Sequence, residues 1–190
     1  MPRPNWFFAF PVEGAFVREL GEPPPHFRLF HPDDVHLTLA FLGGVGETVA
    51  ERALAELDAR LGAQALAPFD VTLAEVVPMG SPRHYSALSA LLGEGRAPVA
   101  ACLTELGGRL CEVALGRRPS RPAKPHVTIA RPRRAATDAQ RAEGLAWARA
   151  VELGSARRRL DRIALYTWSD LRKERLFKIV AERNLAATQG

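Results

Sequence analysis

The sequence predicts a mixed α+β fold. Strand-like and helix-like hydrophobic periods alternate along all 190 residues without a long linker or low-complexity tract, several strand pairs are separated by turn signals, and one short strand pattern occurs twice. The expected order is β-α-β-α-β-β-α-β-α-β-β.

Residues 6–10 form an apolar run of strand length, and after Pro11 the spacing of Phe16, Val17 and Leu20 suits a short helix with those residues inward. Pro23-Pro24-Pro25 and His31-Pro32 break regular structure before a strand that starts at His36 and ends at Gly43-Gly44. Thr48 and Glu51 make a capping-box signature for a helix in which Val49, Ala53, Leu57 and Leu61 recur every four residues up to Gly62. Residues 69–77 and 85–92 alternate as strands around a turn at 78–83 and read as a hairpin. A second helix is expected over 98–113, where Val99, Leu103, Leu106, Leu110 and Val113 form a stripe facing a sheet. Thr137 and Gln140 form another capping box, opening a shorter helix to about Ala150, and residues 159–168 and 175–182 alternate as a final hairpin.

A composition of 47% hydrophobic and 25% charged residues is that of an ordinary soluble protein able to bury a sizeable core. No apolar run approaches the roughly 18–20 residues that span a bilayer. The N-terminus lacks the basic, apolar and small-residue segments of a secretion signal, so a cytoplasmic location is the expectation. Cys102 and Cys111 fall nine residues apart in one predicted helix, on nearly opposite sides, and read as buried, inert thiols that neither pair nor share a metal. Net charge is +5, and all but three of the 26 basic residues are arginine. Guanidinium grips phosphate through a planar fork, which favours an anionic, phosphate-bearing partner, although an arginine-heavy, lysine-poor chain is also the product of a GC-rich genome.

The repeated pattern is His36-Leu37-Thr38-Leu39 and His126-Val127-Thr128-Ile129. In a strand, residues i and i+2 share a face. His36 and Thr38 therefore point one way and Leu37, Leu39 and Phe41 the other, while His126 and Thr128 separate likewise from Val127 and Ile129. Each segment has a chemical face and a core face. A strand histidine held by an ordinary hydrogen bond is the simpler reading of either one alone; the matched pair favours a site. No Gly-x-x-x-x-Gly-Lys phosphate loop or Gly-x-Ser-x-Gly elbow is present, which removes nucleotide-triphosphate and serine-hydrolase chemistry. His26, His31 and His84 have no helical-spaced partner or adjacent cysteine, so no metal site is expected.

These features resemble the 2H phosphoesterase superfamily and, within it, the RNA 2′,3′-cyclic phosphodiesterases known as 2′-5′ RNA ligases. The likeness rests on the segments NWFFAFP from Asn5, HLTLAFLG from His36, PHVTIAR from Pro125 and LYTW from Leu165, in order over nearly the whole chain. It implies a single domain over residues 1–190 made of two similar lobes, each an antiparallel-rich sheet with helices on its outer face, with the motif strands lining a central cleft. It implies metal-independent hydrolysis of RNA 2′,3′-cyclic phosphate ends to 2′-phosphates, with weak reverse 2′-5′ joining. No cofactor is implied. The partners implied are RNA with such an end, tRNA-derived ends among them, or a cyclic nucleotide; the protein is expected to be a monomer without a membrane partner. The alternatives are another 2H reaction, on 2′-5′ oligonucleotides or small cyclic nucleotides, and a nucleotide-binding module without turnover.

Histidine titrates near pH 6.5, so one imidazole can give a proton while another takes one. By the resemblance His36 is the general acid towards the leaving ribose oxygen and His126 the general base on water, although the near-symmetric sequence itself permits the reverse. Thr38 and Thr128 would donate to the non-bridging phosphate oxygens. Arg131, five residues after His126, matches a phosphate-contacting arginine of the family. Strict alternation puts it on the wrong face, unless the strand ends or twists at Ala130 before Pro132. The basic loop at residues 117–125 should rim the cleft. By the resemblance Phe8, the first choice, or Phe10 could stack on the terminal base, and Tyr85 or Trp168 could serve in the same way, although core packing is the simpler reading of each one alone.

Overall fold

The structure, a computed structural model, describes residues 3–186, so the extreme ends of the expected 1–190 unit lie outside it. Eight strands build one antiparallel sheet. They are β1 (Trp6–Pro11), β2 (Phe27–Leu29), β3 (His36–Gly43), β5 (Leu73–Pro78), β6 (Leu88–Leu92), β7 (His126–Pro132), β9 (Arg162–Trp168) and β10 (Phe177–Asn184). Two short strands, β4 (Phe69–Val71) and β8 (Arg158–Leu160), pair separately. The helices are α1 (Glu47–Ala63), α2 (Arg96–Cys102), α3 (Gly108–Leu115) and α4 (Asp138–Ala150). Among the described residues, no helix is long and apolar enough to cross a membrane.

The sheet runs β10-β9-β1-β3-β7-β6-β5, with β2 also against β7. Its two halves meet where the motif strands β3 and β7 touch, and there the ladder has one register pair, Leu37 with Val127. One face of the sheet carries the main core, including Phe8, Phe10, Leu37, Leu39, Val127 and Ile129, and is covered by helices: α3 lies on β3 beside α1, and α4 lies on β5. The opposite face carries a smaller cluster of Phe7, Ala9, Ala164 and Tyr166, with Phe177 against it.

Four local expectations change. The Thr48–Glu51 capping box does not form, because Gly46, at φ 86°, takes the N-cap and the helix starts one residue before Thr48. The long strands expected at 69–77 and 159–168 are each broken, at Thr72 and Asp161, and the pieces β4 and β8 pair with each other. The helix expected at 98–113 spans Arg96 to Leu115 but widens into a π turn at Leu103–Gly107. Gly107 there lies so close to the Leu39 carbonyl oxygen that a Cβ would sit 2.3 Å from it. The wider turn also shifts the helical phase, and both cysteines end up buried as free thiols. Finally, the three-residue strand β2 is an addition inside the proline-rich stretch. By contrast the Thr137–Gln140 capping box forms in both directions.

Candidate active site

Each motif strand contains the same irregularity. In β3 the pairing with β1 runs Thr38 to Ala9 and then Ala40 to Phe8, so Leu39 is an extra residue; in β7 the pairing with β6 runs Thr128 to Ser89 and then Ala130 to Leu88, so Ile129 is extra. A bulge of this kind resets the alternation of faces. The burial sequence is consequently identical over six residues of each strand: half-buried His, buried, half-buried Thr, buried, buried, then an exposed residue. That exposed residue is Phe41 in β3 and Arg131 in β7. The bulges overturn two expectations drawn from strict alternation, since Phe41 leaves the core face and Arg131 joins the face of the histidines without the strand having to end at Ala130.

The antiparallel register through Leu37 and Val127 places His36 opposite Thr128 and Thr38 opposite His126. All four polar side chains therefore gather on one face around a local two-fold. Both rings are held alike: Nδ1 of His36 lies 2.6 Å from the Asp34 carbonyl oxygen, and Nδ1 of His126 lies 2.6 Å from that of Lys124. A carbonyl oxygen only accepts, so each Nδ1 carries the hydrogen and each Nε2 is left for chemistry. Asp34 is itself fixed, its buried carboxylate accepting from the backbone N–H of Leu176 at 2.8 Å and of Phe177 at 3.1 Å.

The surroundings of the two histidines differ. His36 lies among aromatic rings, with Phe7 at 4.9 Å, Tyr166 and Phe177 at 5.5 Å and Phe30 at 6.4 Å between centroids. Desolvation there lowers its pKa to about 4, and the positive charges of Arg131 and His126 act in the same direction. His126 is also lowered, first by desolvation and further by the charge of Lys124. Burial lowers the Arg131 pKa as well, and its guanidinium lies 5.0 Å above the Phe30 ring, on the His36 side of the site.

Thr128 gains a partner that periodicity had not singled out. The Ser89 hydroxyl, fully buried on β6, lies 3.1 Å from that of Thr128. The stacking residue changes too. Phe8 is 0% exposed and packs in the main core, as do Phe10 and Tyr85, so none of them can meet a ligand. Trp168 is half-buried beneath Arg172, whose guanidinium lies 4.1 Å from its ring. Phe41, 56% exposed and paired across the strands with Phe7, the ring that packs on His36, is an open aromatic ring on that face. In the basic loop Arg118 is tied to Glu112, whereas Arg117 and Arg121 are exposed. Among the described residues no three His, Cys, Asp or Glu side chains cluster closely enough to hold a metal ion.

The structure is similar to that of TT0787 from Thermus thermophilus, with a TM-score of 0.68 and 23% identity over 95% of this chain and 97% of that one. It is similar also to LigT of E. coli, with a TM-score of 0.62 and 22% identity over 98% of this chain and 100% of that one. Usb1 of Kluyveromyces marxianus shares the fold more distantly, with a TM-score of 0.52 and 10% identity over 97% of each chain. No curated protein matches the sequence. The family model of the 2′-5′ RNA ligase superfamily matches residues 13–172, most of the chain and both histidine motifs. The chain belongs to the 2′-5′ RNA ligase superfamily.

Proposed function

We propose that this protein hydrolyses RNA 2′,3′-cyclic phosphate ends to 2′-phosphates, with His36 and His126 as its acid and base. The observation that carries this reading is the matched pair of imidazoles, each fixed through Nδ1 and each leaving Nε2 free on the same face as two threonine hydroxyls. Hydrolysis of a cyclic phosphodiester needs one group to accept a proton from water and another to give one to the departing ribose oxygen. His126 takes the proton of the water that attacks phosphorus. The bond to the 3′ oxygen breaks, and His36 supplies the proton that this oxygen takes up. Thr38 and Thr128 donate to the non-bridging oxygens as negative charge builds there, and Arg131 balances that charge. In the free protein the aromatic surroundings keep His36 neutral. A bound phosphate anion beside it favours the imidazolium, so substrate binding itself charges the acid. Both proton transfers are met by side chains of the chain, and the reading calls for no metal.

Phe41 offers its face to the base of the terminal nucleotide. Stacking of that kind tolerates any base and is worth roughly 1–3 kcal/mol. LigT has been crystallised with 3′-AMP and with phosphate, ligands of the class this reading requires. Reverse 2′-5′ joining follows by microscopic reversibility with the two histidines exchanging roles. The single domain of two pseudo-symmetric lobes expected from the sequence belongs to the same reading, and a monomer suffices because one chain carries both half-sites.

The test is a substrate panel of a nucleoside 2′,3′-cyclic monophosphate, an oligoribonucleotide with a 2′,3′-cyclic end, a nucleoside 3′,5′-cyclic monophosphate and a 2′-5′ dinucleotide. Hydrolysis of the first two and neither of the others is the expected result. Preference for either of the last two would replace this reading with another 2H reaction. Binding without turnover of any of the four would replace it with a nucleotide-binding module.

A further inference from the structure

A pocket of about 370 Å³ opens beside the proposed active site, with Arg28, Arg131, Arg133 and Arg134 around it and Phe30 and Leu176 among its apolar lining. None of these four arginines is paired with a carboxylate among the described residues, although Arg109, Arg159 and Arg183 are each neutralised, by Glu56, Asp70 and Asp58. Arg28 and Arg131 are moreover direct cross-strand partners between β2 and β7. Like charges placed directly opposite on antiparallel strands destabilise the pair unless a counter-charge intervenes. Among the described residues the Arg28 guanidinium makes one hydrogen bond, donated to the Lys173 carbonyl oxygen at 3.2 Å, and that bond neutralises nothing.

We propose that this pocket is a second phosphate subsite, which holds the phosphodiester one nucleotide upstream of the terminal phosphate. The inference rests on the function proposed above and names the form of its substrate, an RNA end rather than a mononucleotide. Arg131 belongs to both places, lying over Phe30 on the His36 side and forming a wall of the pocket, so one strand can run from one to the other. An array of uncompensated guanidinium groups contiguous with a nucleotide site suits a repeating phosphate backbone, which presents charges at regular intervals. The apolar lining beneath them suits the sugar edge.

The test compares adenosine 2′,3′-cyclic phosphate with the diadenylate ending in a 2′,3′-cyclic phosphate, using wild-type protein, Arg28→Ala and Arg133→Ala. Binding of the two corresponding 2′-phosphate products is measured alongside. Wild type should process the dinucleotide with kcat/KM at least tenfold higher than the mononucleotide. Each variant should lose most of that advantage while turning over the mononucleotide as wild type does, and its dinucleotide affinity should depend less steeply on salt. Equal kcat/KM for both substrates in wild type, or variants that slow both equally, would overturn the subsite while leaving the hydrolase reading intact. Arginine-dependent affinity for the dinucleotide without turnover of either substrate would support the subsite and overturn the hydrolase reading. Absence of both turnover and arginine-dependent affinity would overturn the two together.

Discussion

His36 and His126 are held by the same device, an Nδ1–H donated to the carbonyl oxygen two residues earlier, at 2.6 Å in each strand. This fixes both tautomers before any ligand arrives and leaves two Nε2 atoms on one face. The prediction from this relationship concerns which ring does what. A 2′,3′-cyclic substrate whose 3′ oxygen is replaced by sulfur has a leaving group that needs little protonation. His36→Ala should recover most of its lost rate on that analogue, whereas His126→Ala should stay inactive. Recovery by His126→Ala in its place would exchange the two roles.

Asp34 ties this device to the rest of the molecule. Its carboxylate holds the backbone N–H groups of Leu176 and Phe177, and its carbonyl oxygen holds His36. Asp34→Ala leaves two backbone donors without their acceptor and should cost about 1–3 kcal/mol of stability. It should also lower kcat by more than tenfold at a temperature where the variant is fully folded, through loss of His36 orientation. Unchanged kcat in the folded variant would show that Asp34 serves the fold alone. Thermal unfolding and steady-state kinetics on one preparation check both.

The low pKa of His36 has a stability consequence with a definite sign. The unfolded chain binds a proton on this residue near pH 6.5, whereas the folded chain does so only near pH 4. The unfolded state therefore holds more protons in between, and stability present above pH 6.5 is lost as the pH falls towards 4, by on the order of 3 kcal/mol at most. His126 adds to the loss with the same sign. Urea unfolding of wild type and His36→Gln at pH 7 and pH 4.5 should show the variant gaining on wild type at the lower pH. An equal difference at both pH values would show that His36 is not desolvated. For catalysis, kcat/KM should follow a bell whose maximum lies between about pH 4 and 6.5, set by two depressed imidazoles.

Phe41 and Phe8 should behave oppositely. Phe8→Ala empties a fully buried site and should cost about 3–5 kcal/mol of stability. Phe41→Ala removes a ring that is mostly in solvent and should change stability by less than about 0.5 kcal/mol. It should raise KM for a nucleoside 2′,3′-cyclic phosphate by roughly tenfold or more, if stacking contributes its usual energy. A ribose 2′,3′-cyclic phosphate lacking a base should show no such change.

Much of this fold was legible because the relevant signals are local. The motif strands announced themselves through alternation, and the Thr137–Gln140 box needs only its own four residues to close. The similar signal at Thr48 failed because Gly46 supplied a positive φ and took over the cap. What could not be read was set by pairing. The extra residues Leu39 and Ile129 exist only relative to the strands beside them, and they decide that Phe41 and Arg131 share the face of the histidines. Ser89 became a neighbour of Thr128, and Arg28 a neighbour of Arg131, through ladder register alone. The π turn ends at Gly107, which lies close against the Leu39 carbonyl oxygen, again a contact between distant segments.

The most direct test of the paired-histidine account is incubation of purified protein with adenosine 2′,3′-cyclic phosphate in excess EDTA, beside His36→Ala and His126→Ala, with 2′-AMP and 3′-AMP resolved. The account predicts 2′-AMP from wild type and a loss of at least about a hundredfold in each variant, the usual size of a general acid or base contribution. Formation of 3′-AMP, full activity in either variant, or activity abolished by EDTA would contradict it.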